Sequence, residues 1–147
     1  MVDFLVIGSF SAATYKNVFP LVKDRRIRLG WNRVGEFTDG TRFGNTVWFS
    51  DIGGGEPPIL KLDKTYDSDV YERFDNYPAI NVDRMEDIQI DYPGEMGVPV
   101  TFLEKWNENQ FDVIRISAGW MDDGFNGLKS QYIDGKKIFT KVFIKRK

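Results

Sequence analysis

The stretch Phe4-Leu-Val-Ile-Gly8-Ser9 constrains the fold more than any other part of the chain. It is an apolar run of strand length, closed by Gly-Ser and followed at once by a helical pattern. Tyr15, Val18, Phe19 and Val22 fall on one face of that pattern. A second short apolar run, Ile27-Arg28-Leu29-Gly30-Trp31, comes next. Strand, helix, strand is the βαβ unit of a parallel sheet. The unbroken apolar character of the first run predicts burial on both faces, as in a central parallel strand. The helix is expected over about residues 12–24, kinked or broken near Phe19 because Pro20 removes a backbone donor inside it. The unit starts at residue 2, where a doubly wound domain ordinarily has its cofactor-binding strands already behind it.

Further strand signals follow. Asn45-Thr-Val-Trp-Phe49 is β-branched and aromatic, and residues 110–116 carry Phe111, Val113, Ile114 and Ile116. Residues 34–42 are polar, with Gly35, Asp39 and Gly40, and read as a loop or small hairpin. Residues 56–95 hold Pro57, Pro58, Pro78 and Pro93 and show little periodicity, so a loop-rich insertion is expected, with short strands at 79–82 and 87–90. The apolar residues 98–103 are expected to begin a helix that runs on to Trp106. The clearest local signal is at the end. Gln131-Tyr-Ile133 and residues 136–144 flank Asp134-Gly135, the pair favoured in a type I′ hairpin turn. The expected class is α/β with α+β character: one domain over residues 1–147, with strands both parallel and antiparallel, a loop-rich insertion and a C-terminal β-hairpin.

Composition narrows the chemistry. The chain has no Cys and no His, which removes thiolate and disulfide chemistry, the commonest general base and the commonest metal ligand. Serine-triad and zinc-hydrolase readings lose their support with them. The formal net charge of -2 means that any contact with nucleic acid needs a local basic patch. Aromatics make up 15%, which suits a sheet or a face that stacks on something flat. No apolar run reaches the roughly 18 residues of a membrane span, and the first residues lack the basic and apolar regions of a signal peptide. A cytoplasmic protein without a membrane partner is expected.

Candidate motifs have competing plain readings. Gly53-Gly-Gly-Glu-Pro57 lacks the Lys and helix of a phosphate loop and reads as a flexible connection. Glu56-Pro57-Pro58-Ile59 looks like the Asn/Asp-Pro-Pro-aromatic tetrad of amino methyltransferases, but Glu is a methylene too long and Ile cannot stack on a flipped base. The acidic residues from Asp63 to Asp91 show no calcium-loop spacing and read as solvated loop. Lys136, Lys137, Lys141, Lys145, Arg146 and Lys147 form either a phosphate-contacting stripe or, as favoured here, a charged edge strand that blocks further pairing. Ser9 and Ser11, with Trp31, Asn32 and Arg33, sit at the carboxyl ends of the two presumed parallel strands, where open α/β sheets bind ligands. With Arg42 they are the candidate nucleic-acid-binding residues, able to hydrogen-bond, stack and neutralise phosphate. No residue is assigned as catalytic, cofactor-binding or metal-binding.

Several segments in one order resemble the EcoRI-type adenine-specific DNA methyltransferases. They are Phe4-Leu-Val-Ile-Gly8, Ala13-Thr-Tyr-Lys16 with Phe19-Pro20-Leu21, Leu29-Gly-Trp-Asn32, Val47-Trp-Phe49, Asp75-Asn-Tyr77 with Ala79-Ile80, Met96 to Leu103, Gln110-Phe-Asp112 and the closing Asp134-Gly-Lys-Lys137. The resemblance implies a partial Rossmann-like methyltransferase sheet. In the family, the S-adenosylmethionine loop and an Asn-Pro-Pro-Phe tetrad lie upstream of the block matching Phe4, and this sequence holds neither. It therefore looks like the C-terminal half of such an enzyme, carrying the DNA-reading segments and inactive alone. The implied partners are double-stranded DNA and a second chain bearing the missing half, or a homodimer mate. A non-catalytic phage or prophage protein that binds DNA or a host defence complex is the competing reading. A half-sheet has an unpaired inner edge, so the first strand is expected to lie at a sheet edge or to have that edge buried in a dimer.

Overall fold

The computed structural model describes residues 3–30, 34–52, 55–118 and 131–147. The class is the expected one: α/β with few helices and with sheets that mix parallel and antiparallel strands, consistent with a partial Rossmann-like fold. The first sheet is built on β4 (Arg42–Ser50), whose β-branched and aromatic residues make it the longest strand described. On one side β1 (Leu5–Ser9) pairs antiparallel with it, from Leu5 opposite Ser50 to Ser9 opposite Thr46. On the other side lie β2 (Arg28–Leu29) and β3 (Val34–Glu36), both antiparallel to β4. The two strands of the presumed βαβ unit thus run in the same direction, but β4 lies between them. The polar stretch 34–42 makes this possible, because Phe37 and Thr41 close a hairpin around Gly40 at φ 86° and deliver β4 into the gap.

Strand β1 departs from the expectation of two-sided burial. It lies at the end of the sheet, pairing with β4 alone among the described strands, and its Leu5 and Val6 are more than half exposed. The edge position itself was one of the two outcomes a half-sheet predicts. The following segment differs too. Instead of one kinked helix there is a 3-10 turn over Phe10–Thr14 and a short helix, α1 (Phe19–Lys23). Pro20 falls in the first turn of α1, where a missing N–H costs nothing, so it opens the helix rather than bending it.

The second sheet has the order β5 (Ala79–Asn81), β6 (Glu95–Pro99), β10 (Lys141–Arg146), β7 (Phe111–Ile116). The pair β5–β6 is parallel and the others are antiparallel. Residues 98–103 do not form a single helix. Met96 and Val98 are taken up by pairing with β10, and the helical turn α2 (Phe102–Lys105) begins only after Pro99. Residues 87–90 are not a strand either. A 3-10 turn ends at Asp87, and Gln89 makes one isolated bridge to Lys64.

The predicted charged edge strand is the interior strand β10. Val142, Phe143 and Ile144 are fully buried, with Val142 and Ile144 in the main core and Phe143 in a second cluster with Phe74, Tyr77 and Ile133. Alternation across β10 therefore buries both faces. The main core joins the two sheets through Val47 and Phe49 of β4, Phe10, Phe19 and Val22, and Met96, Phe102, Phe111 and Ile116. The expected long hairpin strand breaks at residues 138–140, leaving a small hairpin of β8 (Tyr132–Ile133) and β9 (Lys136–Lys137). Its turn has Asp134 at φ 50° and Gly135 at φ 75°, the positive pair of type I′. One carboxylate, that of Asp75, accepts both turn amides, from Asp134 at 3.1 Å and Gly135 at 2.9 Å.

Gly97 of β6 shows why the strand carries a glycine. A Cβ there would lie 2.7 Å from the ring of Phe74 and 3.2 Å from that of Phe143. Gly97→Ala is expected to destabilise the protein by about 1–3 kcal/mol through overpacking. Gly35→Ala, where nothing lies within 4 Å, should change stability by no more than about 0.5 kcal/mol. Urea midpoints of the two variants check both values.

Candidate nucleic-acid interface

Ser9 closes β1 at its carboxyl end. Its Oγ accepts a hydrogen bond from the Ser11 amide at 3.3 Å and so caps the 3-10 turn that follows. Ser11 is exposed, and its carbonyl accepts from the Thr14 hydroxyl at 2.8 Å. Thr46 stands opposite Ser9 on one side and opposite Val34 on the other, so the end of β1 and the start of β3 meet β4 at one level. A cavity of about 400 Å3 opens there, lined by Ile7, Gly8, Ser9, Phe37, Gly44, Asn45 and Thr46. Its size suits a small flat ligand. Phe37, Asn45 and Thr46 are lining residues that sequence reasoning missed. The signal available was the polar Gly44-Asn45-Thr46 ahead of the apolar Val47-Trp48-Phe49, which puts Asn45 and Thr46 in the polar first half of the strand.

Arg42 opens β4, four residues before Thr46, or about 13 Å along an extended strand. It does not touch Ser9 or Ser11. Its Nε donates to the Glu36 carboxylate at 3.2 Å, with both side chains largely in solvent. Such an exposed pair contributes at most about 1 kcal/mol. Of the six candidate residues, Ser9, Ser11 and Arg42 thus line one end of the first sheet; Trp31, Asn32 and Arg33 lie outside the described residues.

The Glu-Pro-Pro segment has another task. Glu56 Oε2 accepts from Arg25 Nη2 at 2.7 Å, and Oε1 from Arg28 Nη1. Arg25 also reaches Glu108 at 3.1 Å and lies 4.2 Å from the centre of the Trp106 ring. Next to Glu56, the buried Pro57 carbonyl accepts from Asn107 Nδ2 at 2.7 Å. Both carboxylate oxygens and the proline carbonyl, the groups a tetrad needs free for a target amine, are engaged inside the fold. The cationic stripe is likewise partly neutralised. Lys141 is buried and bonds the Val82 carbonyl at 3.1 Å and Asp83 at 3.2 Å, while Lys147 pairs with Asp112 at 3.4 Å. Lys136, Lys137 and Lys145 are exposed. Several acidic residues of the insertion hold loops: Asp75 the hairpin turn, and Asp91 the Tyr66 amide at 2.7 Å.

Burial opposes the charge on Glu56. The hydrogen bond from Arg28 and the charge of Arg25 outweigh it and hold the carboxyl below its ordinary value of 4.5. A carboxyl with a lowered folded pKa contributes stability that is fully present above its unfolded pKa and is lost as pH falls through the folded one. Stability is therefore expected to drop as pH falls below about 4.5, and Glu56→Gln should flatten that part of the profile while lowering stability at pH 7. Urea midpoints measured against pH for both proteins decide it.

Comparison with known proteins identifies the family. The family model described as adenine-specific methyltransferase EcoRI matches residues 36–147. The type II methyltransferase M.EcoRI of Escherichia coli is 33% identical over 169 aligned residues, covering 98% of this chain and 50% of that protein. M.MgeORF184P of Mycoplasma genitalium is 25% identical, covering 98% of this chain and 57% of its own length. M.MpnI of Mycoplasma pneumoniae is 29% identical over 76% of this chain and 43% of its own length. This chain spans about half the length of these curated relatives. No solved structure gives a significant match. On the family match and the identity to M.EcoRI, the chain belongs to the EcoRI-type adenine-specific methyltransferase family.

Proposed function

We propose that this chain is the DNA-recognition half of an adenine-specific DNA methyltransferase and does not transfer methyl groups by itself. The observation that carries the reading is the state of Glu56-Pro57. The one Pro-Pro segment of the sequence has the Glu56 carboxylate and the Pro57 carbonyl bonded to Arg25, Arg28 and Asn107, so these acceptors are turned into the fold rather than toward a target amine. S-adenosylmethionine, the family's methyl donor, has ribose hydroxyls and a cationic sulfur that call for a carboxylate. Among the described residues the cavity beside Ser9 is lined by no acidic side chain, so they do not fit that cofactor.

The DNA-facing surface is the end of the first sheet that carries Ser9, Ser11 and Arg42; Trp31, Asn32 and Arg33 are further candidate contacts on the sequence alone. The serine hydroxyls donate to phosphate or base edges. Arg42, whose pair with Glu36 is exposed, exchanges that carboxylate for a phosphate at little cost. The chain is expected to bind duplex DNA with an affinity that falls as salt rises. Arg42→Ala should weaken binding and reduce the salt slope by about one. Fluorescence anisotropy with a labelled duplex reads both effects, and a parallel incubation with radiolabelled S-adenosylmethionine should give no transfer. Sequence-dependent labelling of DNA by this chain alone, or an absence of salt-dependent binding, would falsify the proposal.

A further inference from the structure

The small hairpin of β8 and β9 does not stand alone on the surface, where two strands by themselves are marginal. Asp75 accepts both of its turn amides and donates its own N–H to the Tyr132 carbonyl at 2.7 Å, while the Asn76 side chain accepts from the Tyr132 amide at 3.1 Å. Just past β9 the Ile138 amide donates to the Gln131 carbonyl at 2.9 Å, and the Ile138 side chain packs against the cluster of Phe74, Tyr77 and Phe143. Lys141 is buried. Phe139 lies between these two anchored residues and is nevertheless 90% exposed, more than any other large hydrophobic residue described. Lys136 and Lys137 are exposed too, and neither forms an ion pair among the described residues. A rigid support thus holds two lysines and an aromatic ring out into solvent.

We propose that this hairpin is a second DNA contact, in which Lys136 and Lys137 meet phosphates of a duplex and the Phe139 ring lies against sugars and base edges in its minor groove. The inference deepens the DNA-recognition reading given above and rests on it. Cations interleaved with an exposed aromatic match a charged backbone that carries flat, apolar faces, and apolar side chains are what minor-groove proteins set against base steps. The groove beside Phe139, about 420 Å3, narrows the geometry. Lys136 and Phe139 line it, as do Glu72, Asp83 and Asp134. Of these carboxylates Asp83 is paired with Lys141, whose ammonium also bonds the Val82 carbonyl. The others repel a phosphate from the groove, so the DNA backbone passes over the lysines and leaves the uncharged part of a nucleotide for the ring. A protein partner would have to bring acidic groups to both lysines and an apolar pocket to the ring. A duplex brings phosphates and apolar sugar faces at every step.

The test titrates a fluorescein-labelled duplex with the full chain at several salt concentrations and reads anisotropy. The double variant Lys136→Ala, Lys137→Ala should lower the salt slope by about two. Phe139→Ala should weaken binding roughly tenfold with the slope unchanged, because the contact it removes carries no charge. All three side chains are exposed, so urea midpoints of both variants should equal that of the wild type, which verifies their folding. Wild-type affinity in Phe139→Ala, or an unchanged slope in the double variant, overturns the hairpin contact. Arg42→Ala separates this inference from the reading beneath it. If that variant binds more weakly with a reduced slope while the hairpin variants bind as the wild type does, the hairpin contact falls and the DNA-recognition reading stands. If the wild-type chain shows no salt-dependent binding at all, both fall.

Discussion

Arg25 holds the two sheets of this protein in their mutual arrangement. Its backbone sits at φ 60°, a conformation that costs a non-glycine residue of order 1–3 kcal/mol and persists only where the surroundings fix it. Here the surroundings do. The guanidinium lies over Trp106, its Nη2 meets Glu56 and its Nε meets Glu108. Arg28, the first residue of β2, meets the same Glu56. The end of α1, the start of β2, the loop at residue 56 and the turn after α2 are thus tied at one point. From there β2 enters its pairing with β4, and Trp106 keeps its indole N–H on the Phe111 carbonyl at the head of β7. Charge and packing act together in this cluster, since removal of either carboxylate would leave a partly buried cation short of a partner.

Much of the local structure was legible in the sequence because the signals were local. Asp134-Gly135 needs only its own backbone preference to select a type I′ turn, and the β-branched and aromatic run at 45–49 and the strand formers at 111–116 became β4 and β7. The misreadings share another cause. Residues 98–103 read as a helix because an apolar run of that length carries no period, and only pairing with β10 makes a strand of residues 95–99. Residues 136–144 read as an edge strand because lysines alternate with hydrophobes. Lys141, however, satisfies its ammonium inside, on Val82 and Asp83, and the strand goes to the middle of its sheet. Pro20 was read as a break because its position within the helix depends on where the helix starts, which the 3-10 turn shifts toward the C-terminus.

The candidate interface was partly legible for the same reason. Ser9 and Ser11 follow a strand and precede a turn, so their place at a sheet end could be read directly. The cavity beside them depends on Phe37, Asn45 and Thr46, which come from a hairpin that folds back on the sheet from 28 or more residues downstream of Ser9. That contact is a property of topology, and the polar stretch 34–42 gave no period from which to infer it. The tie between Glu56 and the two arginines belongs to the same class, joining residues about 30 positions apart.

The insertion of β4 between two strands that run in the same direction has a consequence for how the chain reaches this state. Among the described strands β1 and β2 both pair with β4, so that pairing needs a segment synthesised after each of them. Docking of α1 alone cannot close the first sheet. The apolar run at residues 4–7 can pair with β4 only once residue 50 has left the ribosome, and in refolding the same separation makes closure of this sheet slow relative to formation of the small hairpin of β8 and β9.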